Sequence, residues 1–196
     1  MVLLSTAQVA EALNNAFGTS TIDNRKVLGL VHTGVFADRG SGRSVRIALS
    51  DVAEFISRTR PVERDQWPDQ WPLFRVSLLE LDKDEVRDDQ DSVLRTHMGA
   101  DYSGASDLPP DMRELAWKGM WAVGDETAQR AVDERAVLFG TTKGYIHPDY
   151  VAQIVGFRRI GARVLWETVP VPKVVANFVG TGLWMPVKAG RISDWA

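Results

Sequence analysis

Apolar positions in the first sixty residues recur at helical spacing, and polar residues punctuate them. Ser5 opens S-T-A-Q, where the Ser5 hydroxyl and the Gln8 side chain can satisfy each other's backbone N–H groups. Val9, Ala12 and Leu13 follow on one face, and Asn14-Asn15 predicts the end of that helix. Phe17-Gly18 reads as a turn. Ser20 predicts the start of a second helix, with Asp23 complementing its positive end and Ile22, Val27, Leu30 and Val31 on its buried side. Residues 35–47 (V-F-A-D-R-G-S-G-R-S-V-R-I) predict a hairpin whose turn uses Gly40 and Gly42. Arg46, between Val45 and Ile47, would face solvent. Ser50-Asp51 predicts the cap of a third helix, with Val52, Phe55 and Ile56 along one face.

Beyond residue 60 the pattern changes. Pro61, Pro68 and Pro72, each restricting its own backbone and its predecessor's, predict a linker over 61–72 whose two tryptophans pack on a domain surface. Phe74–Leu81 predicts a strand, Asp82–Asp91 an acidic exposed helix or loop, and Met98–Pro110 a long loop. A helix is predicted over Asp111–Val123, with Met112, Leu115, Ala116, Met120 and Trp121 as its apolar stripe. Ala136–Phe139, Gly144–Ile146, Val151–Phe157 and Val164–Val169 are β-prone and separated by turns. Val174–Phe178 suits either helix or strand, and the last eighteen residues read as irregular. The expected fold class is α+β: a winged helix-turn-helix over 1–60, the linker over 61–72, and a β-rich domain with helices over 73–196, built as a small barrel or curved antiparallel sheet.

Charge sharpens this division. Residues 1–60 carry seven basic and five acidic side chains, 61–101 five and eleven, and 102–196 eleven and ten. A basic head before an acidic stretch suggests that the head meets a polyanion. The absence of cysteine removes disulfides, thiolate metal sites and a cysteine nucleophile. Three scattered histidines disfavour a histidine metal site. Met1–Leu4 lacks the charged region of a signal peptide, and no apolar run is long enough for a membrane span, so the expectation is a soluble, cytoplasmic chain without membrane contact.

The order helix, turn, helix, hairpin, helix resembles the excisionase/MerR-like winged helix-turn-helix family. The resemblance rests on L-S-T-A-Q-V-A-E-A-L-N (4–14), S-T-I (20–22), T-G (33–34) and G-R-S-V-R-I-A-L-S-D-V-A-E-F-I (42–56), of which the last is the most specific. It departs from the family in an extended first turn and a longer run from Thr21 to Gly34. It implies binding to double-stranded DNA, with the second helix in the major groove. Ser20, Thr21, Asn24, Arg25 and Lys26 suit that helix, since asparagine pairs with adenine and arginine with guanine. Arg39, Arg43 and Arg46 on the hairpin would meet phosphates or the adjacent minor groove.

The second domain resembles PUA/ASCH-type folds in its succession of 111–124, 136–146, 152–157 and 165–169, without a diagnostic motif; the charged signature of ASCH proteins is absent. Lys143, Arg158, Arg159 and Arg163 read as a basic group on adjacent β turns, with Tyr145, Tyr150, Trp166 and Trp184 interleaved, a combination that nucleic-acid surfaces use. Catalytic readings find little. Gly140–Gly144 lacks phosphate-loop spacing, His147-Pro148-Asp149 has no accompanying serine elbow, and the carboxylates at 82–91 lack calcium-loop spacing. The expectation is a non-enzymatic, cofactor-free regulator that binds duplex DNA through its head and a second basic surface, in the manner of a phage-type repressor. Two other classes stay open: an RNA- or modified-base-binding protein, and an antitoxin-like protein whose C-terminal domain holds a protein partner.

Overall fold

A computed structural model describes residues 1–186 and 193–195. The chain opens with β1 (Leu3–Leu4) and α1 (Thr6–Phe17), whose N-terminus carries the reciprocal Ser5/Gln8 cap. Asn14-Asn15 does not end α1. The helix runs on until Gly18 takes a left-handed conformation (φ 64°) and donates its N–H to the Asn14 carbonyl. The Asn14 side chain reaches forward instead, bonding both the N–H and the carbonyl of Ile22 at 3.0 and 2.8 Å. That clamp holds residues 20–23 outside the helix, so α2 (Asn24–His32) starts at an Asp23 cap and not at Ser20.

The expected hairpin arms do not pair as strands. Asp38 Oδ1 accepts the N–H groups of Gly40 (2.8 Å) and Arg46 (3.0 Å), and a single backbone bond joins Arg39 N–H to the Arg46 carbonyl. The carboxylate occupies the donor that a facing strand would need. The loop feeds β2 (Ile47–Ala48), which pairs antiparallel with β1, and then α3 (Leu49–Arg58). The N-cap position of α3 is Ala48, so Ser50-Asp51 sits inside its first turn and does not cap it.

β3 (Arg60–Pro61) leads into the proline-rich segment, which is laid against the sheet: Val62 and Trp67 are buried, and the Trp67 ring meets Phe139 and Phe178 edge-on. β4 (Leu73–Ser77) follows. The acidic stretch is a two-stranded hairpin, β5 (Asp82–Arg87) with β6 (Val93–Met98), and not a helix or loop. The helix expected over 111–123 is α4 (Pro110–Lys118), which gives way at Gly119 to β7 (Gly119–Trp121). Next comes α5 (Asp125–Asp133), which the sequence pattern missed because its buried residues are the alanines 128 and 131. β8 (Val137–Thr142), β9 (Tyr145–Ile160), β10 (Arg163–Val169), α6 (Lys173–Val179), β11 (Leu183–Trp184) and β12 (Ser193–Trp195) complete the chain. The expected irregular end falls partly on 187–192 and 196, outside the described residues.

The sheet order is β12-β4-β8-β9-β10-β7, with β11 bridging β9 to β3 off that path. β4 lies parallel to β8 and β3 parallel to β11; the remaining pairs are antiparallel. The architecture is therefore mixed α/β with an open sheet, and the barrel expectation is corrected: among the described residues β7 and β12 end the sheet without meeting. No helix among the described residues is long and apolar enough to cross a membrane.

Candidate nucleic-acid interface

The first turn of α2 presents Asn24 and Arg25 to solvent, with Lys26 half-buried beside them. Val27 and Leu30 anchor the opposite side of the helix in the core that α1 and α3 share. Ser20 and Thr21 are exposed in the non-helical segment ahead of the helix, where Thr21 bonds Thr19. Arg25, Leu28, Gly29 and His32 follow one another at helical spacing and line one wall of a groove of about 360 Å³. The facing wall comes from Leu78, Leu79, Glu80 and Lys143.

Lys143 gets there by turn chemistry. It and Gly144 form the two-residue connection between β8 and β9, and both hold positive φ (55° and 108°). The lysine side chain then crosses α2 at Gly29: a Cβ on that glycine would lie 2.4 Å from Lys143 Cε. Burial pulls the Lys26 ammonium down from its ordinary value; Asp23 opposes this and the charge of Lys143 reinforces it. Lys26 and Lys143, 117 positions apart, thus sit within electrostatic reach of one another.

The loop arginines are on the same N-terminal unit. Arg43 is exposed with no carboxylate within 4.0 Å among the described residues, Arg39 lies 3.9 Å from Asp51, and Arg46 Nη1 donates to the Val45 carbonyl. The other expected members of the C-terminal group are elsewhere. Arg158 and Arg159 end β9 and Arg163 begins β10, so nearly the whole sixteen-residue β9, on the order of 40 Å of strand path, separates them from Lys143. Arg159 is ion-paired with Asp125, and Arg163 lies 3.4 Å from Asp84. The four residues do not form one group. Gly29, His32 and Glu80 escaped sequence reasoning as members of the α2 groove; the spacing 25, 28, 29, 32 was the available signal for two of them.

No protein-family model matches this chain, and no curated protein and no solved structure is recognisably similar to it.

Proposed function

We propose that the protein is a sequence-specific DNA-binding regulator that enters the major groove with the N-terminal turn of α2. The observation that carries this reading is the convergence of Arg25 and Lys26 on α2 with Lys143 from the β8–β9 turn. Cations brought together from distant parts of a chain repel one another, and an anion bound across them offsets that cost. Duplex DNA supplies rows of phosphates flanking a groove wide enough for a helix. Asn24 and Arg25, exposed on the first turn of α2, would read base edges. Lys26 and Lys143 would neutralise phosphates beside them, and Arg39, Arg43 and Arg46 on the 38–46 loop would hold the flanking backbone.

The test is selection of bound sequences from random duplex DNA by the full chain, followed by affinity measurements at several salt concentrations. Binding should fall steeply with salt. Arg25→Ala or Asn24→Ala should cost about 1–3 kcal/mol and relax preference at particular base pairs. Lys143→Ala should weaken binding to all sequences alike and lower the salt slope by about one unit. The Arg158/Arg159/Arg163 triple alanine variant should bind as the parent does. No selected sequence, or an affinity indifferent to salt, would remove the DNA reading; preference for RNA over duplex DNA would put the RNA-binding class in its place.

A further inference from the structure

A second cavity lies between α4 and the start of β9, away from the α2 groove. Its volume is about 270 Å³. Four flat side chains wall it: Tyr102, Trp117, His147 and Tyr150. Their rings are packed against one another, Tyr102 on Tyr150 at 4.7 Å, Trp117 on Tyr150 at 5.6 Å and Tyr102 on His147 at 5.7 Å, so the wall is one connected aromatic surface. The tyrosine hydroxyls are turned to protein partners, Tyr102 to the Thr142 hydroxyl and Tyr150 to the Asp101 carbonyl.

Charge in the lining is one-sided: three carboxylates, Asp101, Glu114 and Asp149, against one guanidinium, Arg113. Arg113 is directed to its own loop, where Nη2 donates to the carbonyls of Ser106 and Leu108. Its Nε is buried without a hydrogen-bond partner among the described residues. Glu114 is ion-paired with Lys118, whose ammonium lies 5.5 Å from the Trp117 ring centroid at the cavity's edge, whereas Asp149 is largely exposed. Burial raises Asp101, but the Ser103 hydroxyl and the N–H groups of Ser106 and Ser103 outweigh it and hold this carboxyl below its ordinary value, hence ionised at neutral pH. His147 is lowered by burial, so its ring stays neutral, and its Nδ1 accepts the Asp149 N–H. The cavity therefore offers π faces and negative charge together, and a cation gains from both.

We propose that this cavity binds a small organic cation of the arylalkylamine class, protonated at neutral pH, with its ring on the Tyr102, Trp117 and Tyr150 surface and its ammonium toward Asp149 and Glu114. An anionic ligand of the same shape would meet those carboxylates unfavourably, which also separates this site from the DNA-binding surface and makes the inference independent of that reading.

Three probes of one shape and different charge test it on the full chain: benzylamine, benzyl alcohol and phenylacetate, each titrated at pH 7 while the ring proton resonances of the three histidines are followed. The His147 resonance should move and those of His32 and His97 should not. Benzylamine should bind at least tenfold more tightly than phenylacetate. The double variant Glu114→Gln/Asp149→Asn changes only exposed side chains; it should weaken benzylamine by about threefold to tenfold and leave benzyl alcohol unchanged. The proposal is overturned if His147 does not respond, if phenylacetate binds as tightly as benzylamine, or if the double variant holds benzylamine as the parent does.

Discussion

Asp23 shows how much one side chain decides. Its carboxylate accepts the Lys26 N–H at 2.9 Å, which caps α2 and holds the Asp23 carboxyl below its ordinary value of 3.8. Asp23→Ala should cost about 1 kcal/mol. Because the folded-state value is lowered, the charge-dependent part of that stabilisation is complete above 3.8 and fades as pH falls through the folded value. Urea midpoints at pH 6 and pH 3 should therefore differ less for Asp23→Asn, which keeps an acceptor, than for the parent; an equal difference would mean the cap is not ionised. Arg95 is the opposite case, a fully buried cation. It donates to the Gly119 carbonyl and is ion-paired with Asp84, while burial lowers its own value. Asp84→Asn strands this guanidinium and should cost on the order of 3 kcal/mol, whereas the same change beside Arg95→Met should cost much less. A denaturant double-mutant cycle reads the difference directly.

Among the elements, those with strong local signals formed where the pattern placed them, and the errors have local causes. The Ser5/Gln8 cap and the apolar face of α1 needed only neighbouring residues. The start of α2 did not: Ser20 is a sound cap by composition, but Asn14 binds Ile22 across the turn and delays the helix to Asn24. The acidic 82–87 stretch reads as a solvated helix or loop by charge, yet Asp84 and Val86 alternate with exposed neighbours, and Arg95 on the facing strand draws Asp84 in. Gly29 is the element-scale test of the site. Alanine suits a helix better by up to about 1 kcal/mol, and the obstacle there is the Lys143 side chain. Gly29→Ala should leave the melting temperature at or above that of the parent while lowering DNA affinity to the level of Lys143→Ala. Unchanged affinity would place Lys143 outside the DNA contact.

Across the whole molecule the N-terminal helices and the C-terminal sheet share one core. Phe17 stacks on Trp184 with centroids 5.5 Å apart, Phe55 meets Tyr145 edge-on at 4.9 Å, and Tyr102 donates its N–H to the Thr33 carbonyl just past α2. A chain ending at residue 60 loses Tyr145 and Trp184 and exposes both phenylalanines. Residues 1–60 alone should bind a hydrophobic dye and show a broad thermal transition, whereas the full chain should unfold in one cooperative step; two separate transitions in the full chain would refute the shared core. The local signals of capping, apolar spacing and proline punctuation determined most helices and the β character of residues 137–169, because each depends on residues a few positions apart; they split β9, which runs unbroken from Tyr145 to Ile160, into two segments. They could not settle the sheet order, the parallel pairing of β4 with β8, the burial of Trp67 or the shared core, since these depend on surfaces from distant segments meeting. Arg25 and Lys26 were legible as one basic turn of a helix. That Lys143 joins them, while Arg158, Arg159 and Arg163 lie at the far end of β9, was decided only when the β8–β9 turn was laid across the bare backbone of Gly29.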